Sequence, residues 1–368
     1  MTKRIASEHG IVCRLPGERL GYFGWPTVAR LDDGTLVVAS SGLRSEHVCP
    51  WGKTVLNVSH DDGRTWSPPR VINDSPLDDR DAGVINLGGA TLLVTWFTSD
   101  SRKCVEDEGF RKWLGDEEID SWRPTLAALT DDLVKRHLGS WIMLSNNSGK
   151  TWSAPLRSPV SAPHGPVRLR GGEVLYLGKD SREMSQGVIL AAASPDGGAT
   201  WEVRGQVPVY PGTYFANYHE PHVVELPTGT LLGMIRVENG PGADLAPAGV
   251  TNFSIMQTAS NDGGRTWSVP KPLNFHGSPP HLLRHSSGTL VMTSGCRLAS
   301  FGQRVAFSKD DGATWEHDWI VRDDGPDWDL GYPSTVEMGD GSLFTVCYQK
   351  VPGDRKCSLL WSRWKLPE

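Results

Sequence analysis

The pattern S-x-D-x-G-x-T-W occurs as SHDDGRTW (59–66), SPDGGATW (194–201), SNDGGRTW (260–267) and SKDDGATW (308–315), and once more as SNNSGKTW (145–152), where Asn147 replaces the Asp. Each position has a job in a turn. Ser and Asp oxygens accept from nearby backbone N–H groups, and Gly takes the positive φ. The Trp then plugs into a neighbouring sheet. A turn repeated in this way belongs to a repeated supersecondary unit, which buries its apolar face only by stacking on the next copy.

A looser repeat supplies that unit: a short strand, L-x-x-G-x-L, and a second apolar strand. It is seen in WPTVARLDDGTLVVAS (25–40), DAGVINLGGATLLVTW (81–96), PHGPVRLRGGEVLYLG (163–178), EPHVVELPTGTLLGMI (220–235), PPHLLRHSSGTLVMTS (279–294) and YPSTVEMGDGSLFTVC (332–347). The first five hairpins are followed by the turn motif. The pattern predicts an all-β chain, a six-bladed β-propeller of four-stranded blades forming one domain over 1–368. The last blade lacks the turn motif, so residues 1–20 are expected to give its outer strand and close the ring. Between Ser59 and Ser145 the spacing lengthens. The segment 104–139 is charged, with helical periodicity around Leu126–Leu138, and predicts a helical insertion in the second blade beside the channel mouth. It reads as a lid, a dimer surface or a solvated decoration.

A net charge of −6 provides no footprint for nucleic acid or an anionic membrane, so neither is an expected partner. No apolar run approaches transmembrane length or a signal sequence. The six cysteines are scattered without a CxxC pair, which suits reduced thiols and a cytoplasmic location.

Aligned on L-x-x-G-x-L, the hairpins place Trp25, Asp81, Pro163 with His164 next, Glu220, Pro279 and Tyr332 at equivalent first positions. Innermost strands surround the axis of a propeller, so these residues are expected to share one pocket. A carboxylate at a strand start is costly without partners. Asp81 and Glu220 therefore point to a polar cavity, and Arg236 closes the hairpin that Glu220 opens.

The turn motif resembles the Asp-boxes of sialidases (neuraminidases), six-bladed propellers that hydrolyse terminal sialic acids, and the resemblance covers essentially the whole chain. HEPHVVELPTGTLLGMIR (219–236) is similar to the family segment in which a Glu opens a strand and a substrate-binding Arg ends the hairpin; this implies those roles for Glu220 and Arg236. GYPSTVEMGDGSL (331–343) resembles the stretch with the nucleophilic tyrosine, implying Tyr332. RVAFSKDDGATW (304–315) resembles the stretch carrying another arginine of the binding triad, implying Arg304. A phenol paired with a Glu suits an anomeric carbon that bears a carboxylate, because an anionic nucleophile would be repelled there. Arginine forks hold such a carboxylate bidentately.

Two positions depart from the family. Gly24, in GWPTVARL (24–31), stands where the family has its first triad arginine. The loop LRSEHVCPWGK (43–53) lacks the family's acidic Asp. Arg44 and Arg80 are the expected replacement anion contacts, and the general acid lies between His47 and Asp81, with Glu46 a neighbour. Trp25 and His164 complete the expected substrate-binding set.

The expected activity is therefore exo-hydrolysis of a terminal carboxylate-bearing sugar on a glycan, with retention, and with no cofactor. Histidines at 47, 164, 219, 222, 276 and 281 keep open a uronate lyase that uses His and Tyr. A glycan-binding propeller without catalysis is the third class. No metal is expected: HEPHV has its histidines three apart around a proline in strand sequence, not at the helical spacing of a zinc motif, and DDGPDWD (323–329) lacks EF-hand spacing.

Overall fold

A computed structural model describes residues 3–182 and 187–367; positions 1, 2, 183–186 and 368 of the expected span lie outside them. Over the described residues the chain forms a six-bladed β-propeller with three short α-helices. Each blade is an antiparallel meander whose innermost strand lines the axis; in the third that strand is in two pieces, Val160–Ser161 and Val167–Arg168, both paired with Val174–Asp180. The first is Tyr22–Arg30, Leu36–Arg44, Lys53–Ser59 and Arg70–Asn73. The fourth runs Tyr218–Glu225, Leu231–Val237, Ser254–Ser260 and Lys271–His276. Apolar residues on the facing sheets interdigitate between blades. Val28, Leu36 and Val38 of the first blade meet Phe344, Val346 and Tyr348 of the last, all essentially shielded from water.

The last blade is completed from both ends of the chain. Ser7–Cys13 pairs antiparallel with Cys357–Trp364 as its fourth strand. Its third and fourth strands are therefore not consecutive in sequence, which explains why the turn motif is missing there. Lys3–Arg4 adds a short parallel strand to the fifth blade.

The five turns staple third strands to fourth strands. In the first, Ser59 Oγ accepts from Gly63 N–H at 2.9 Å and donates to Asp61 Oδ1 at 2.8 Å; Asp61 accepts from Thr65 N–H at 2.9 Å and Thr65 Oγ1 at 2.6 Å. Gly63 has φ of 83°, and a Cβ there would lie 2.5 Å from the Phe344 ring. In a meander these connections fall on the face opposite the start of the innermost strand. The turns thus stand away from the channel mouth.

The insertion leaves the second blade between Thr91–Ser99 and Gly139–Ser145 on the mouth face. It comprises α1 (Glu108–Leu114), α2 (Asp116–Ala127) and α3 (Asp131–His137). Asp107 caps α1 by accepting from Phe110 N–H, and Thr130 caps α3 by accepting from Leu133 N–H. The stretch Leu126–Leu138 is broken at 128–130 and not one helix. Ile119, Trp122 and Leu126 pack on Cys49 and Trp51, so the insertion is clamped to the loop that carries His47. Among the described residues no helix is long and apolar enough to cross a membrane.

Candidate active site

Four of the six inner strands begin with the same backbone device. Trp25, Asp81, Glu220 and Tyr332 have φ of 53°, 50°, 43° and 51°. The strand register slips at each of them: between Gly24 and Thr27, Arg80 and Gly83, His219 and His222, and Gly331 and Ser334. A bulge leaves residues unmatched on one strand and re-aims a side chain out of the blade's alternation. Non-glycine residues at positive φ are strained, and such strain persists where the surroundings hold it. Pro26, Pro221 and Pro333 follow three of the four; having no N–H, they suit a gap in the ladder.

The device brings Tyr332 and Glu220 together. Tyr332 Oη donates to Glu220 Oε1. Arg236 Nη1 donates to Glu220 Oε2 at 2.5 Å and reaches Tyr332 Oη at 3.4 Å, while its Nη2 donates to Glu238 at 2.5 Å. Burial works against a charged Glu220, but the Arg236 guanidinium and the Tyr332 hydroxyl outweigh it and hold the carboxyl down to about 2. Burial, then the charges of Glu220 and Asp81, push Tyr332 well above the usual phenol range. The resting pair is a neutral phenol donating to a carboxylate. Asp81 differs: burial raises it to about 7, Arg80 opposes, Glu220 adds to the rise, and its Oδ1 is buried without a hydrogen-bond partner.

Arg297, unremarked in the sequence, is the second cation at the site. Its guanidinium lies 5.8 Å from the Tyr332 ring, and with Arg236 it lines a cavity of about 350 Å³ bounded by Phe253, His276, Leu298 and Trp328. Arg297 follows the second strand of its blade, Leu290–Cys296, as Arg236 lies near the end of its own, Leu231–Val237. That shared place in the blade is the signal that would have found it.

Arg304 is placed elsewhere. It sits in the third strand, Gly302–Ser308, two strands out from the axis, and its guanidinium donates to the carbonyls of Ser300, Gln303 and Arg322. Arg44 is likewise unavailable to a ligand. Fully buried, it forms a bidentate pair with Asp78 at 2.5 and 2.9 Å and donates to Ser41 Oγ and the His47 carbonyl. Arg80 donates to the His47 carbonyl at 3.0 Å and Asp78 at 3.2 Å. Both guanidinium groups stack on Trp25, at 5.0 and 4.4 Å from its ring. Trp25 itself is 2% exposed and stands as a wall between Tyr332 and His47, offering no face to a ligand.

His47 is oriented by Asp329, a partner the sequence did not indicate: Nδ1 lies 2.8 Å from Asp329 Oδ1, which also accepts from Tyr22 Oη at 3.0 Å. Burial depresses His47 below its ordinary value, and Asp329 opposes that. Glu46 has burial raising its carboxyl, and its carbonyl accepts from Arg44.

His164, His222 and His281 form a collar around the axis, with ring separations of 5.0, 4.5 and 5.8 Å. His222 Nδ1 accepts from Leu282 N–H and His281 Nδ1 from Thr335 N–H, which places their protons on Nε2. Burial drives His164 down to about 3 and the other two well below the imidazole range. The collar is neutral. His164 is buried beneath Tyr332, 6.4 Å away, and is not a ligand contact. Among the described residues no group of three or more His, Cys, Asp or Glu could hold a metal ion.

A model of the BNR repeat-like domain matches residues 125–345. The chain belongs to that family and, with the propeller described above, is a divergent member of the sialidase superfamily. A sialidase of Micromonospora viridifaciens is 28% identical over an alignment covering 38% of this chain and 25% of that protein, so the match spans about a quarter of the relative's length. Among solved structures, a Dyadobacter fermentans protein of unknown function superposes with a TM-score of 0.75 at 21% identity, covering 99% of both chains. Trypanosoma rangeli sialidase in complex with the inhibitor DANA superposes at 0.63 and 16% identity, covering 97% of this chain and 59% of that one. These structural likenesses are likenesses of fold.

Proposed function

We propose that the chain is a retaining exo-glycosidase that removes a terminal sugar bearing a carboxylate, of the sialic acid kind, from a glycan. The observation that carries this reading is the Tyr332–Glu220 hydrogen bond set beside two guanidinium groups. Arg297 and Arg236 hold the sugar's carboxylate, each charged hydrogen bond contributing about 1.5–3 kcal/mol. Tyr332 Oη attacks the anomeric carbon while its proton passes to Glu220, and the bond to the leaving oxygen breaks. Asp81, raised to about 7 and so partly protonated near neutrality, donates a proton to that oxygen. In the second step Asp81 takes a proton from water, the water oxygen attacks the anomeric carbon, and the departing Tyr332 oxygen recovers its proton from Glu220. His47, held by Asp329, walls the leaving-group side.

The family membership and the sialidase relative support a glycosidase of this class. Proton NMR of the first-formed product tests the mechanism. Retention of the anomeric configuration is expected, and Tyr332→Phe removes turnover. Initial inversion would take the nucleophilic role from Tyr332.

A further inference from the structure

On the face opposite the mouth, the residue just before each hairpin turn alternates in kind around the ring: Arg30, Asn86, Arg168, Glu225, Arg284 and Glu337, from blades one to six. Asn86 and the two acids are already engaged. Asn86 donates to the Arg30 carbonyl at 3.1 Å and to Asp32 at 2.9 Å. Glu225 accepts from Arg170 N–H at 2.7 Å, and Glu337 from Ser286 N–H at 2.8 Å. The arginines are not engaged. Among the described residues none of the three has a carboxylate within ion-pair distance or donates a side-chain hydrogen bond, and Nε of Arg30 and of Arg284 is buried without a partner. Asp32, tied to Gly89 N–H at 2.7 Å, is the carboxylate nearest in effect to Arg168.

Arg30, Asn86, Arg168 and Glu337 rim a cavity of about 300 Å³ that enters the axis from this face. Its inner end is the histidine collar, with Tyr332 on the far side, 6.4 Å from His164. His222 and His281, 5% and 8% exposed, line the cavity. Nδ1 of each is taken by a backbone N–H, and their Nε2 protons have no acceptor among the described residues. Three to four residues of strand, roughly 10–13 Å, separate the collar from the arginines. A compact ion at one end therefore leaves the other unmatched.

We propose that this cavity is an anion site, separate from the mouth, for a small organic acid that carries several carboxylates. One carboxylate accepts from the Nε2–H groups of His222 and His281. The others are held at the rim by Arg30 and Arg168, with Arg284 at the same position of the fifth blade. Buried donors without acceptors and guanidinium groups without anions are both costly to leave unmet, and one polycarboxylate meets both. The arginines come from alternate blades, a third of a turn apart. That spread favours carboxylates on separate carbons over a single phosphate, and the positive rim repels a cation. Occupancy of this site does not depend on what the mouth hydrolyses.

Isothermal titration of the full chain with citrate tests the site, with acetate and inorganic phosphate compared at equal ionic strength. One citrate per chain is expected, bound about tenfold or more tighter than either comparison anion. Arg168 is exposed, so Arg168→Gln should fold, and it is expected to weaken citrate by about tenfold. Arg168→Lys, which keeps the charge, should recover most of that loss. Arg297→Ala removes a cation of the mouth and should leave citrate affinity within about twofold of wild type. Absence of citrate binding, acetate or phosphate bound as tightly, or wild-type affinity in Arg168→Gln overturns the proposal. So does a loss confined to Arg297→Ala, which would place the anion at the mouth.

Discussion

Tyr332 and Glu220, 112 residues apart, share a hydrogen bond because two bulged strands from different blades aim both side chains at one axis. Neither residue could make this contact from a regular strand. The local strain at positive φ is thereby tied to the pair on which the proposed chemistry depends.

Replacing the acceptor tests the pair. Glu220→Gln keeps the shape but cannot take the phenol's proton, and it leaves Arg236 with one carboxylate partner, Glu238. Turnover is expected to fall by about 10²–10⁴-fold. Steady-state rates on an aryl glycoside check this. A loss below about threefold would exclude Glu220 as the base.

The two arginines of the fifth blade make opposite predictions. Arg297→Ala removes the charged hydrogen bonds proposed to hold the substrate carboxylate and should lower kcat/KM by about 10- to 100-fold. Arg304→Ala removes contacts to backbone carbonyls at the blade's outer part and should change it by less than about twofold. Equal losses in both variants would contradict the placement of these side chains.

Asp81 predicts the pH dependence. A donor whose proton is held up to about 7 loses catalytic competence as pH rises through that value, so kcat should fall above about pH 7, and Asp81→Asn should remove that limb with most of the rate. Stability depends on pH with the same sign. Burial raises both Asp79 and Asp81 to about 7, above the value of an unfolded chain, so the folded state binds more protons. Their contribution is fully present below about pH 4 and is lost as pH rises through 7. Melting curves of Asp81→Asn should show a shallower decline between pH 5 and 8, to the order of one proton in the linkage slope.

The buried pair Arg44–Asp78 predicts a stability effect. Both side chains have no exposure, so Asp78→Ala leaves an uncompensated guanidinium and should cost about 3–5 kcal/mol. Because Arg44 and Arg80 also hold the His47 carbonyl and face Trp25, activity should be lost with stability. Thermal unfolding beside a rate assay checks both.

The six blades were legible because the turn and the hairpin repeat with a fixed internal spacing. The ring closure followed from one missing turn. The four channel positions were legible too, since alignment by L-x-x-G-x-L needs no coordinates. Arg297 was hidden in a loop outside either repeat, whereas Arg304 stood in a family-like stretch and drew attention to the wrong strand. Arg44 looked available because its partner Asp78 belongs to the next blade. Asp329 and Trp113 meet His47 only through loops and an insertion, where neither periodicity nor turn chemistry fixes position.

The sheet that bears Tyr332 is sewn from the two extremities of the chain, Ser7–Cys13 lying against Cys357–Trp364. Unzipping that seam would free the edge of Cys357–Trp364, two strands out from the strand that carries Tyr332, and Val12 and Cys13 belong to the same apolar cluster as Trp25 and Tyr332. Loss of the first dozen residues by proteolysis would thus act as a chemical lesion as well as a structural one, extinguishing turnover from a distance along the chain where no reacting group resides.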